Sequence, residues 1–147
     1  MTETFQIKFT SIDLVSKSLE LPNTTQNSEI DFNFLVDLKV SPELKIAVVI
    51  TDVTLSRDSG RSRLAFFKLI CVFEFPEFDL VFPKLDDGKF EIPINIEILL
   101  KSTGLSTVRG VIYSELRGTY LQNAILPLID ISSIVLQGRD KKEAVNS

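Results

Sequence analysis

Ile30-Asp31-Phe32-Asn33-Phe34-Leu35-Val36-Asp37-Leu38-Lys39-Val40 is the most regular stretch of the chain. Ile30, Phe32, Phe34, Val36, Leu38 and Val40 fall on one side, and Asp31, Asn33, Leu35, Asp37 and Lys39 on the other. Strand side chains alternate between two faces, so this pattern is that of an antiparallel strand with one face on a core and the other toward water. Ser41-Pro42-Glu43 turns the chain, Leu44 to Leu55 is a β-branched run, and Asp58-Ser59-Gly60 supplies the next turn. Two consecutive hairpins follow.

The run that closes the second hairpin, Leu64 to Phe75, is apolar on both faces. Ala65, Phe67, Leu69, Cys71, Phe73 and Phe75 form one, and Leu64, Phe66, Ile70 and Val72 lie on the other. Such a strand needs cover on each side. Either both faces are core, or part of the outer one lies in an oligomer interface or a binding groove. Upstream, Phe5, Ile7 and Phe9 alternate and the phase then changes to Ile12 and Leu14, which implies a bulge near Thr10-Ser11. This long, kinked strand resumes through Leu19 and Leu21 to Pro22-Asn23, and Thr24 to Ser28 is a polar connection.

After residue 75 the pattern changes. Residues 76–92 read as an irregular crossing that carries Phe78, Leu80, Val81 and Phe82, with Asp86-Asp87-Gly88 as a turn. Pro93 opens a short helix that Gly104 ends, and a second runs from Ser106 to Arg117 with Gly118 as its C-cap. An apolar loop from Tyr120 to Ile129 leads to a short helix, Ile131 to Leu136, with Asp130 at its N-cap. The expected fold is α+β: a four-stranded antiparallel sheet with C-terminal helices packed on one face, as a single domain over 1–138 with a polar tail over 139–147.

Composition narrows the chemistry. The 147 residues are 44% apolar and 24% charged, with no His and no Trp. The commonest general base and zinc ligand is therefore missing. No Gly-rich phosphate loop or nucleophile elbow is present, so neither catalysis nor a metal or other cofactor is expected. A net charge of −4 disfavours nucleic acid as a main ligand, and the basic tip Arg57 to Arg63 reads as a solvated turn. Cys71, the single cysteine, sits among apolar neighbours and reads as a small buried hydrophobe. The start Met1-Thr2-Glu3-Thr4 lacks a basic, apolar leader, and no stretch reaches the roughly 18 apolar residues of a membrane span. A cytoplasmic protein without membrane insertion is expected.

Four local strings, in order along this series of elements, resemble the SecB family of export chaperones. They are Thr4-Phe5-Gln6-Ile7 and Leu19-Glu20-Leu21-Pro22-Asn23 at the ends of the first strand, Arg117-Gly118-Thr119-Tyr120 after the helices, and Leu126-Pro127-Leu128 before the last one. The resemblance implies an ATP-independent holdase that binds unfolded polypeptides such as preproteins in an apolar groove. It also implies a homotetramer, with dimers pairing through strands and assembling through the long helices. Family members dock on the SecA motor through acidic residues of the outer sheet face. Glu20 matches one, but Phe66 and Ser16 stand where others are expected, so docking on SecA stays open. These departures fit a divergent member that chaperones an antitoxin or a narrow client set. A small-molecule or lipid carrier, with a pocket between sheet and helices, is the alternative of another class.

Holding an unfolded chain requires apolar surface that stays exposed, bordered by polar groups. The groove candidates are Tyr120, Leu121, Ile125, Leu126, Ile131, Ile134 and Val135, with Phe32 and Phe34 as floor; each is equally consistent with ordinary core. Gly110, with Ser114 one turn later, marks a face where another helix approaches or where the helix packs on its own sheet. Together with Phe66 these are the candidate oligomer contacts.

Overall fold

The computed structural model describes residues 6–21, 29–57 and 60–146, with side chains described up to residue 139. Phe5, Pro22-Asn23, the Thr24 to Ser28 connection and the turn residues Asp58-Ser59 lie outside the described residues. Strands β1 (Lys8–Leu19), β2 (Asp31–Ser41), β3 (Ile46–Arg57) and β4 (Ser62–Glu74) form one antiparallel sheet in the order β1-β4-β3-β2. Helices α1 (Phe78–Val81), α2 (Ile94–Glu115) and α3 (Ile131–Asn146) follow.

The alternation over 31–40 is realised residue for residue. Phe32, Phe34, Val36, Leu38 and Val40 pair with Leu55, Val53, Thr51, Val49 and Ala47 of β3, on the face that α2 covers. On β4 the inner face, Ala65 to Phe75, is buried throughout, while Phe66, Ile70 and Val72 on the outer face are half-buried. Leu64 does not belong to that outer set. A bulge between Leu55 and Ser56 leaves it opposite no residue of β3, and it is buried with the core. In β1 the register shifts between Phe9 and Ser11, at the expected place, and again between Leu14 and Ser16.

Two expected helices are one. Gly104 is not a terminator: α2 runs through it for 22 residues, with Ile96, Leu100, Gly104, Val108, Ile112 and Leu116 buried along one stripe. A Cβ on Gly104 would lie 2.7 Å from Val49 Cγ1 and 3.5 Å from Val49 Cβ. The glycine is needed because the helix backbone rests directly on β3. Gly118, at φ 80°, then turns the chain past the helix end as expected.

The crossing folds around an aromatic cluster in which Phe82 meets Phe75, Phe78 and Phe90 at centroid distances of 5.0, 4.6 and 6.1 Å. Asp130 caps α3, its carboxylate accepting from the Ser132 N–H at 3.1 Å and the Ser133 hydroxyl at 2.8 Å. The helix continues to Asn146, where the sequence pattern suggests a polar tail from Arg139. No Gly or Pro interrupts it after Gly138, and Arg139 is anchored. Its Nη2 donates to the Ile92 carbonyl at 2.8 Å and to Glu97 Oε1 at 2.9 Å, while Lys101 Nζ lies 3.0 Å from Glu97 Oε2.

Burial would raise the pKa of Glu97, but the hydrogen bonds and charges of Lys101 and Arg139 outweigh it and hold the carboxyl below its ordinary value. A depressed carboxylate pKa stabilises the fold above the unfolded-state value and loses that contribution as pH falls through the folded one. Docking of α3 is therefore expected to weaken on acidification below the ordinary carboxylate range, followed by NMR of the Ile131 and Val135 methyls, and Glu97→Gln should remove that acid step. An acid step unchanged in Glu97→Gln contradicts the assignment.

Gly104→Ala is expected to destabilise the protein by about 1–3 kcal/mol through overpacking, despite the better helix propensity of Ala. Adding Val49→Ala should make the double variant less destabilised than the sum of the two singles, measured by denaturant unfolding. Strict additivity contradicts the contact.

Candidate functional site

Strand β1 is at the sheet edge, beside rather than beneath the main contact of α2 with the sheet. Residues opposite each other in an antiparallel pair share a face. Phe9, Ile12, Leu14, Lys17 and Leu19 pair with Phe73, Cys71, Leu69, Phe67 and Ala65, all buried on the face that carries α2. Yet Phe9, Ile12 and Leu19 are 41%, 55% and 44% exposed. The cause is the position of α2, which packs on β2, β3 and β4. The core face of the sheet thus extends one strand beyond its cover. Cys71, beneath this overhang, is buried, and burial pushes its thiol up to about 11, so it is an inert part of the floor.

The overhang is bounded by polar ties. Lys17 Nζ pairs with Glu115 Oε2 of α2 at 2.9 Å, and the two line a groove of about 220 Å³ with Leu19, Phe67 and Leu116. Just past the helix, the Tyr120 hydroxyl donates to the Glu20 carbonyl at 2.7 Å, which joins the loop to the end of β1. Burial raises the Tyr120 pKa, so the phenol stays a donor at neutral pH. At the other end Phe9 lies against Phe73, with ring centroids 4.6 Å apart. The result is an apolar strip along the strand, edged by Lys17 and Glu115, beside a strand edge that pairs with no other strand among the described residues.

The sequence-predicted groove residues divide by burial. Leu121, Leu126, Ile131 and Val135 are core. Tyr120, Ile125 and Ile134 are exposed, and Phe32 and Phe34 are half-buried against the core. Arg109 fixes the backbone at the end of this loop: it donates to the carbonyls of Leu126 at 3.1 Å and Pro127 at 3.2 Å, where Leu126 is buried and Ile125 and Leu128 are exposed. Gly110 and Ser114 are exposed on α2, and nothing lies within 4 Å of a Cβ built on Gly110, so the glycine does not pack on its own sheet. Phe66 is half-buried on the face opposite the helices, with the Arg63 guanidinium 4.9 Å from its ring centre. Glu20 is exposed at the strand end. The sequence pattern did not single out Phe9, Ile12 and Leu19 as exposed on the core face; the signal was the odd spacing of Leu14 and Leu19, which requires the second bulge for both to face inward.

No family model matches the chain, and no curated protein matches it in sequence. Among solved structures it is similar to the SecB-like chaperone of Mycobacterium tuberculosis in complex with a ChAD peptide from an antitoxin. That match has a TM-score of 0.58 at 14% identity and covers 84% of this chain and 89% of that one. The strand order, the helices gathered on one face and the extent of the match give one conclusion: this chain has the SecB-like fold.

Proposed function

We propose that the protein is an ATP-independent chaperone that holds non-native polypeptide, with an antitoxin or a similarly narrow client set as its cargo. The observation that carries this reading is the overhang of β1, where Phe9, Ile12 and Leu19 extend the core face into solvent. An extended client gains apolar contacts there and backbone hydrogen bonds at the free edge. Tyr120, Ile125 and Ile134 are further exposed apolar side chains on the helical side. The structurally similar chaperone holds an antitoxin peptide, which favours a dedicated client over general export. Ser16 and Phe66, on the outer sheet face where acids for SecA are expected, weigh the same way. A carrier with a pocket between the layers is not favoured, because α2 lies on Val49 at van der Waals contact.

The reading includes a cytoplasmic homotetramer. Ser102, Ser106, Gly110 and Ser114 recur every fourth residue along α2, the last three exposed, and this face suits close approach of a second helix. Native mass spectrometry should show a tetramer that Gly110→Arg dissociates; a tetramer that persists in the variant removes α2 from the interface.

Binding of a labelled unfolded polypeptide, followed by anisotropy, should weaken roughly tenfold or more in Ile12→Asp, since a carboxylate would be desolvated in the contact. Leu35→Asp, an equally drastic change on the opposite face, should leave it unchanged. Absence of any polypeptide binding by the unaltered protein would overturn the function.

A further inference from the structure

Five residues of β1 lie on the helical side of the sheet: Phe9, Ile12, Leu14, Lys17 and Leu19, opposite Phe73, Cys71, Leu69, Phe67 and Ala65 of β4. The β4 residues come at every second position. On β1 the spacing is uneven, and the two register shifts absorb the additional residues Thr10 and Val15. The five side chains therefore stand in one row at the repeat of a regular strand, roughly 7 Å per step. Four of them are apolar, and Lys17 alone carries a charge.

That charge is met within the fold. Lys17 Nζ donates to Glu115 Oε2, at the end of α2, at 2.9 Å. The pair joins the edge strand to the helix, so the ammonium is drawn toward α2, and Lys17 lines a groove of about 220 Å³ with Leu19, Phe67 and Leu116. Long cationic side chains lay their methylene stems on apolar surface while the head stays in water. Here the lysine side chain is 61% exposed and the glutamate 34%. Exposed pairs of this kind add little to stability. The effect of Glu115 falls instead on the charge that the row presents to a client.

We propose that Glu115 sets the client specificity of the β1 strip: by holding Lys17 toward α2 it lets the row act as five apolar positions, and the strip selects extended segments with apolar residues at every second position and no carboxylate among them. The proposal rests on the polypeptide-holding function given above. It names the substrate class as strand-like segments of about nine residues, the length that faces five alternating positions. A helical segment, with apolar residues at spacings of three and four, does not place them on consecutive steps of the row. Lys17 meets the client through its stem, and Glu115 is a positioning residue that acts through Lys17. Without Glu115 the ammonium is available to a client carboxylate, and the preference changes at that one step.

A glutamate scan tests this on the full-length protein. The probes are a nonapeptide that alternates valine with serine and its variants with glutamate in place of one valine, each competing against a labelled unfolded polypeptide. With the unaltered protein, glutamate at any valine position should weaken binding roughly tenfold, because the carboxylate is desolvated. In Glu115→Gln, glutamate at the second valine from one end should regain about two- to fivefold, the size of an exposed ion pair, and lose that gain in about 1 M salt. A scan in Glu115→Gln that matches the unaltered protein overturns the role of Glu115. A peptide of the same composition with its valines contiguous that binds as well as the alternating one overturns the selection of pattern. If no peptide competes while the unfolded polypeptide binds, the substrate class fails and the function stands. If the polypeptide itself does not bind, the function fails. In that case NMR contacts between the Lys17 methylenes and the Leu116 methyls, expected in the unaltered protein and lost in Glu115→Gln, still decide whether Glu115 holds Lys17.

Discussion

The contact of Gly104 with Val49 sets the position of everything on the helical side of the sheet. A side chain at residue 104 would lift α2 off β3, and with it the stripe from Ile96 to Leu116 that closes the core. Held at this height, the helix packs chiefly on β2, β3 and β4 and reaches β1 through the Glu115–Lys17 pair. The inner face of β1 is left over. The exposed apolar surface here is thus a consequence of packing geometry: four strands present an apolar face, and the long helix packs chiefly on three of them. Strand β1 carries two register shifts and the charged residues Lys8, Asp13 and Lys17, features that natural sheets use to blunt an open edge.

The opposite face of the sheet carries a different balance. Val48, Ile50, Ile70 and Val72 form its centre and are half-buried by their neighbours, with Asp37 of β2 and Asp13 of β1 flanking the Ile50–Ile70 pair. Arg63 covers Phe66, and Lys68 lies 3.9 Å from Asp52. These polar groups border the greasy outer side of β4 without a second layer above it among the described residues. The apolar composition that makes β4 look doubly buried is thus divided between a true core face and a face that its own neighbours partly shield.

Strands were the legible part of this chain, because alternation survives wherever one face is buried and the other wet. β2 reads correctly down to the residue, and the first bulge of β1 follows from the change of phase between Phe9 and Ile12. The helices were less legible. A glycine that ends a helix and a glycine that lets a helix touch a sheet are the same letter, so Gly104 gives no local sign of which it is. Leu121 and Ile125 are equally apolar, yet one is buried and the other exposed, and the carbonyls of Leu126 and Pro127 beside Ile125 are held by Arg109, seventeen residues before Leu126. Arg139 looks like the start of a polar tail because its partners, Ile92 and Glu97, are more than forty residues away. What the pattern lacks in each case is a long-range contact, and those contacts separate exposed surface from core.

The central claim is that non-native polypeptide sits on the overhanging inner face of β1. Site-specific photocrosslinking tests it most directly, with a benzophenone side chain placed at Ile12 or at Leu35. Both positions are well exposed, at 55% and 73%, but they lie on opposite faces of the sheet. The account predicts that an unfolded polypeptide is captured at Ile12 and not at Leu35. Equal capture at the two positions, or capture at Leu35 alone, would contradict it.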